Sequence, residues 1–235
     1  MKRLILPVIS LLLLAGCSSW QSKFSGSVEP VNLSGGAYDG QDKSFYWLTR
    51  ALSSPRSASD YVQQPDRAWY KSSYQWQDGT LKEIVREGEM RQPDQSLKPF
   101  LVHIRFSADG EAIYQRYRVD NQILPLNQSD LKRYSQDADN LVEKVDDLNS
   151  QGLSLVQGVW DGNTFESCDG VQYKNVDYQE ASLPITVVER LNDFTSYAAF
   201  IGTRDKKSKT VVVNNLLVLD KASHGCIERS HLILK

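Results

Sequence analysis

Three cysteines and three histidines hold most of the reactive chemistry in this 235-residue chain: Cys17, Cys168, Cys226, His103, His224 and His231. A cysteine is a nucleophile only as its thiolate, so it needs a base within hydrogen-bond reach; otherwise it serves as a disulfide half or a modification site. Cys226 stands in Ala222-Ser223-His224-Gly225-Cys226-Ile227-Glu228-Arg229, and Cys168 closes a Phe165-x-x-Cys168 run. With Cys17 set aside for the N-terminal segment, Cys168 and Cys226 form an even pair, which in an oxidising compartment reads as a disulfide. Closing that loop would contribute roughly 4 kcal/mol in the chain-entropy model. His103 and His231 stand in no metal-ligand spacing. No H-E-x-x-H, C-x-x-C, G-x-G-x-x-G, G-x-S-x-G or P-loop occurs, so no metal, no cofactor and no catalytic residue is expected.

Aromatic residues are the second resource. Trp69, Tyr70, Tyr74 and Trp76 crowd one alternating segment, and such rings on a sheet can form a platform for a glycan, peptide or lipid. They also fill cores and make cross-strand pairs. We take these four as the candidate binding surface. Glu83, Glu87 and Glu89 alternate along the next segment and read as a solvated face. The balance of 27 Lys and Arg against 29 Asp and Glu argues against nucleic acid as a partner, because phosphate binding needs a basic surplus.

The N-terminus carries an address. Lys2 and Arg3 precede an apolar stretch from Leu4 to Leu14, too short to span a hydrocarbon core of about 30 Å as a helix. It has the dimensions of a secretory signal. Leu14-Ala15-Gly16-Cys17 then resembles the lipobox of bacterial lipoproteins, which implies cleavage after residue 16 and acylation of Cys17. Membrane association would come through that lipid, since acyl chains contribute about 0.8 kcal/mol per buried CH₂. Ser18 follows where the family's inner-membrane retention rule wants Asp, so the resemblance implies the periplasmic face of the outer membrane.

The elements that must position these residues follow from periodicity. Residues 17–43 are rich in Ser and Gly and read as a lipidated tether. Ser44 to Leu52 reads as a short helix stopped by Ser53-Ser54-Pro55. Period two then begins at Ala68 to Gln77, with Asp78-Gly79 as a hairpin turn, Thr80 to Glu87 returning, Phe100 to Phe106 as a third strand, and Glu111 to Val119 and Ile123-Leu124 joined by Asp120-Asn121. This predicts an antiparallel meander of four or five strands. Leu131, Tyr134, Ala138, Leu141, Val142, Val145 and Leu148 recur at helical spacing behind a cap at Asn127 or Ser129. Beyond it, short strands are expected at Leu153 to Trp160, Thr164 to Cys168, Ile185 to Leu191, Tyr197 to Gly202 and Thr210 to Leu219, with Arg204 to Lys209 as a hairpin tip. Their spacing points to a small OB- or SH3-like barrel. The fold class is therefore α+β and β-dominated, with a meander and long helix over 44–152 and a disulfide-closed barrel over 153–235.

In order, the lipobox, tether, W-Y-x-x-S-Y-x-W-x-D-G hairpin, helix and G-x-W-D-G-x-x-F-x-x-C run resemble a family of diderm lipoproteins of about 230 residues with a domain of unknown function. The F-x-x-C run, β-rich stretch and terminal Cys are similar to the C-terminal OB domain of the envelope-stress lipoprotein NlpE, whose N-terminal Cys-x-x-Cys is missing here. Both point to a non-catalytic binding, assembly or sensing protein with an envelope protein or glycan as partner. Ser223-His224-Gly225-Cys226 also resembles the nucleophile segment of L,D-transpeptidases, which implies, as the alternative, a peptidoglycan-linking enzyme using Cys226. That family's upstream base has no counterpart, since residues 202–221 hold no His.

Overall fold

Alternation along the chain builds the first layer. The structure, a computed structural model, describes residues 29–178 and 183–231. Eight strands, β1 (Val31–Asp39), β2 (Asp42–Ala51), β3 (Ser54–Gln63), β4 (Trp69–Gln77), β5 (Thr80–Arg91), β6 (Leu97–Phe106), β7 (Ala112–Val119) and β8 (Gln122–Leu124), pair antiparallel in chain order. The molecule is β-dominated, with a nearly closed, barrel-like sheet. Both two-residue turns expected from the sequence are present. Asp78-Gly79 has φ of 52° and 79°, and Asp120-Asn121 has 45° and 66°, the left-handed values that match a hairpin's twist.

The meander is longer than expected, because it begins before residue 68. Val31 to Lys43, expected as part of a tether, is instead β1 and the start of β2, while residues 17–28 of that expectation lie outside the described residues. The Ser- and Gly-rich composition there serves close packing. A Cβ on Gly35 would stand 2.8 Å from Leu148, and one on Gly36 would stand 2.7 Å from both Leu217 and the Ser44 carbonyl. Ser44 to Leu52 is a strand rather than a helix. Phe45 and Trp47 pack to one side and Tyr46 and Leu48 to the other, so both faces of this segment are apolar and the helical reading of the run fails.

Helix α1 (Gln128–Ser150) fills the inner face of this sheet. Asn127 is its cap: its side chain accepts from the Asp130 amide at 2.9 Å, and the Asp130 carboxylate accepts from the Asn127 amide at 3.3 Å. Leu131, Tyr134, Ala138, Leu141 and Val145 form the buried stripe, against Tyr46, Leu48, Tyr74, Ile84, Val102 and Ile104 of the strands. Each fully buried Leu or Val side chain contributes about 1.5–3 kcal/mol, so this stripe is what holds the helix in place.

The second sheet comprises β9 (Ser154–Trp160), β10 (Phe165–Ser167), β11 (Gln172–Tyr173), β12 (Asn175–Asp177), β13 (Ser196–Asp205) and β14 (Thr210–Lys221), in the order β11-β10-β9-β13-β14-β12. One face carries Val156, Phe165, Ala198, Phe200 and Val213, covered by Leu191 of α2 (Ile185–Asp193). The other face carries Leu155, Tyr197, Ala199 and Ile201 and shares a core with Phe45, Trp47 and Tyr61 from the outer face of the first sheet. The layers therefore run α1, first sheet, second sheet, α2.

Two expectations are corrected here. Ile185 to Leu191 is helical although Ile185, Thr186, Val187 and Val188 are β-branched, because the 3.6-residue spacing puts Val187 and Leu191 together on the sheet. The C-terminal strands are ordered β11-β10-β9-β13-β14-β12, with β11 and β12 at the two edges rather than paired to close a small barrel. A sheet covered on both faces has no need to close on itself to bury its side chains.

Candidate functional site

The first sheet offers one concentration of chemistry on each face. On the inner face, register aligns Tyr46, Asp60, Ser72, Arg86, Val102 and Tyr117 in one row across β2 to β7. Asp60 and Arg86 are 4% and 6% exposed, so a carboxylate and a guanidinium lie at depth beneath α1. Arg86 Nε donates to Ser72 Oγ at 2.8 Å, and Arg86 Nη2 donates to the Tyr74 hydroxyl at 2.9 Å and pairs with Asp137 of α1 at 2.9 Å. Its guanidinium carbon lies 4.2 Å from the Tyr70 ring centroid and 4.9 Å from that of Tyr134, a cation–π sandwich. The Tyr74 hydroxyl in turn donates to Asp60 Oδ2 at 2.9 Å.

Burial sets the electrostatics of this row. It pushes the Asp60 carboxyl above the ordinary carboxylate range, and Arg86 pulls it part of the way back. It also raises the Tyr70 and Tyr74 phenols. Arg86 loses hydration too, but the surrounding phenol and carboxylate oxygens outweigh that loss and hold it firmly charged. Hydrogen bonds from the Ser72 hydroxyl, its neighbour across the strand pair, and from the Tyr74 hydroxyl pull the Asp60 carboxyl further down.

On the outer face, the chain's last described segment crosses the sheet as a strap. Cys226 is disulfide-bonded to Cys168, just past β10, with Cα atoms 6.1 Å apart. The bond thus ties a strand end to the strap, rather than the first and last strands of a barrel. The Gln157 side chain brackets Ile227, donating to its carbonyl at 2.7 Å and accepting from its amide at 2.9 Å, and the Tyr197 hydroxyl donates to the same Gln157 oxygen at 2.6 Å. Arg229 reaches the sheet: Nη1 donates to Thr49 Oγ1 at 2.7 Å, and Nη2 donates to Ser57 at 3.0 and 3.2 Å. Its pKa is lowered by burial. His224 stacks on Tyr197 with centroids 4.4 Å apart and donates from Nδ1 to the Gly225 carbonyl at 2.7 Å. Burial raises the Tyr197 phenol to about 12.

Beside the strap lies a depression of about 500 Å³, with Tyr61, Gln63, Trp69 and Lys71 on one side and residues 224–231 on the other. Trp69 also lines two further depressions of about 340 and 320 Å³, one toward the 63–68 loop and one toward β5 and β6. Its indole Nε1 donates to Glu89 at 3.1 Å, its ring centroid lies 6.2 Å from that of Tyr61, and Lys71 pairs with Glu87 at 3.0 Å. Polar groups thus surround two partly exposed rings.

The four aromatics singled out from the sequence do not form one surface. Tyr70, Tyr74 and Trp76 turn inward beneath α1, where Tyr74 is fully buried, and Trp69 alone faces outward. Alternation along β4 separates them, with Trp69 one residue out of phase. His103 lies 2.7 Å from Glu83 on the outer face. Among the described residues no group of three or more His, Cys, Asp or Glu is placed to hold a metal ion, and no helix is long and apolar enough to cross a membrane. Cys17 lies outside the described residues. Sequence reasoning passed over Asp60 and Arg86, although a signal existed: each interrupts an inward-facing apolar alternation, Ala58-x-Asp60-x-Val62 and Ile84-x-Arg86.

These features define a four-layer, β-dominated protein whose N-terminal sheet wraps a long helix over a buried arginine. The chain belongs to the family described as Protein of unknown function (DUF1481), whose model matches residues 34–230. Neither a curated protein nor a solved structure matches it.

Proposed function

We propose that this chain is a non-catalytic binding protein of the bacterial envelope, anchored by lipid on Cys17 at the periplasmic face of the outer membrane, and that the outer-face groove at Trp69 takes an envelope glycan. The observation that carries the reading is the meeting of three depressions at one partly exposed indole, flanked by Tyr61, Gln63, Lys71, Glu87 and Glu89. An aromatic face among convergent amide, ammonium and carboxylate groups is the chemistry that stacks on a sugar ring and bonds its hydroxyls. The finer family expectation, a lipoprotein related to the NlpE type, belongs to this proposal as well. Against the transpeptidase alternative, Cys226 sulfur is occupied by Cys168 and the His224 ring is engaged with Tyr197 and Gly225.

Tryptophan fluorescence titrated with soluble peptidoglycan glycan fragments tests the groove. A saturable change that Trp69→Ala removes is the expected result, and equal binding by that variant overturns it. Radiolabelled palmitate should label the chain and fail to label Cys17→Ala; label retained in the variant sinks the anchoring claim. Mass spectrometry of unreduced protein should show a linked Cys168–Cys226 peptide, whereas a free, rapidly alkylating Cys226 would make the transpeptidase alternative the leading reading.

A further inference from the structure

The first sheet ends in an edge that no strand among the described residues covers. Strand β8 meets only Tyr117, Arg118 and Val119 of β7, because Pro125 has no amide hydrogen with which to continue the ladder and Leu126 packs into the core instead. Residues 112–116 are therefore paired on one side only, to β6. The register tells which backbone groups are left over. The Asp120 amide donates to the Pro99 carbonyl at 2.9 Å, so the even-numbered residues 116, 118 and 120 bond toward β6 and their odd-numbered neighbours face the other way. The amide and carbonyl of Gln115 thus point out along the open edge. Ile113 is 67% exposed, and Tyr114, Gln115 and Arg116 are exposed with it. This stretch, about 17 Å long in an antiparallel strand, is open on both faces as well as along its edge.

We propose that this edge of β7 accepts an extended acidic peptide segment as an added strand. Charge chooses the partner. The outer-face side chains beside the edge are Arg116 and Arg118 on β7 and Arg105 and His103 on β6. Glu83 reaches His103 at 2.7 Å and Arg105 at 4.0 Å, but among the described residues no carboxylate pairs with Arg116 or Arg118. The second sheet leaves this part of the outer face open, since the core it shares with the first sheet is built on Phe45, Trp47 and Tyr61 of β2 and β3. A second copy of the chain is a poor occupant, because pairing β7 with itself would bring these arginines against their own copies. A bare strand edge offers backbone bonds that a glycan or a lipid surface does not match. A peptide strand with acidic side chains at every second position satisfies the edge and the arginines together.

The full chain is titrated into fluorescein-labelled Thr-Glu-Val-Glu-Val-Glu-Thr peptide, blocked at its C-terminus, and anisotropy is followed. Saturable binding is expected, with at least tenfold weaker binding of the peptide carrying Lys in place of Glu. A version methylated on its central amides keeps the charges but cannot pair as a strand, and it too should bind at least tenfold more weakly. Arg116→Glu should weaken the acidic peptide at least tenfold and strengthen the lysine peptide. Gln115→Pro removes an amide hydrogen that bonds to no strand of this chain, so the sheet stays folded and peptide binding is lost. If that variant fails to fold, Arg116→Glu and the methylated peptide still decide. Equal binding of the methylated and unmethylated peptides would leave a surface that attracts anions only, and an affinity unmoved in the variants would leave a solvated edge; either result overturns the proposal. Arg118 is kept intact in these tests because it also lines the depression toward β5 and β6. Trp69→Ala, which removes glycan binding, leaves the peptide affinity unchanged, so the two readings fail separately.

Discussion

Two arginines approach the first sheet from opposite faces, and they are held by opposite means. Arg86 lies beneath α1 with two carboxylates, three phenols and a serine around it, and these oxygens keep it charged despite the loss of water. Arg229 belongs to the strap, is only half-buried, and donates to neutral partners: Thr49 and Ser57 hydroxyls and one carbonyl. Burial there lowers its pKa, and no carboxylate reverses the shift. Compensation of charge at depth, and partial satisfaction by neutral groups near the surface that leaves the buried Arg229 Nε without an acceptor, are two answers to one desolvation problem. The first locks a helix to a sheet; the second fastens a segment that solvent can still reach.

Substitutions should separate these two solutions. Arg86→Ala leaves Asp60 and the Tyr74 hydroxyl buried without their cation, and a loss of about 3–5 kcal/mol is expected. Urea denaturation followed by near-UV circular dichroism measures it, and a loss below 1 kcal/mol would mean the row is not needed to dock α1. Next in size is the strap's covalent tie. Replacing Cys168 and Cys226 together by Ser removes a cross-link between residues 58 apart and should cost about 2–4 kcal/mol. The same loss should follow from adding reductant to the wild type. Arg229→Ala removes charge-assisted bonds to neutral partners at a half-exposed position and should cost about 1–2 kcal/mol. A loss equal to that of Arg86→Ala would show that the strap, too, is held by charge.

The smallest expected effect is one of pH. Because burial raises the Asp60 pKa above its ordinary 3.8, the folded state holds that proton more tightly than the unfolded chain. The contribution is therefore fully present below 3.8 and is lost as pH rises through the raised folded value. Arg86, Asp137, Tyr46, Tyr70 and Tyr74 face this carboxyl. In a pH series, wild-type stability should gain on that of Asp60→Asn as pH falls through this window. Carboxylates such as Asp66 and Asp205, lowered by hydrogen bonds, slope the other way but are common to both proteins and cancel in the difference. A flat difference would mean that Asp60 titrates alike folded and unfolded.

Much of this architecture could be read from the sequence where alternation is clean. Strands β4 to β8, the Asp78-Gly79 and Asp120-Asn121 turns and α1 with its Asn127 cap follow from patterning and turn chemistry. The first three strands were hidden for a physical reason: they are covered on both faces over part of their length, and they carry Gly35, Gly36, Ser44, Ser59 and Asp60 where apolar residues mark a strand. A glycine admitting a neighbour's side chain and a glycine in a loop look alike in one dimension. The disulfide pairing followed from counting. The inner row did not, because Asp60, Ser72 and Arg86 become neighbours only through the register of three strands. Trp69 was legible as an aromatic, but its separation from Tyr70, Tyr74 and Trp76 depends on which face α1 covers.

The strap has a consequence in time as well as in space. In the first sheet every strand pairs with the one made just before it, so its hairpins can form in succession as the chain emerges. The strap's contacts are the reverse: Ser230 meets Ser73, and Arg229 meets Ser57 and Thr49, across 157, 172 and 180 residues of sequence. A chain delivered N-terminus first therefore carries an outer sheet face, with Phe45, Trp47 and Tyr61 uncovered, until β9, β13 and β14 of the second sheet have been made. A chain interrupted before those strands retains a sticky surface for quality-control factors to recognise.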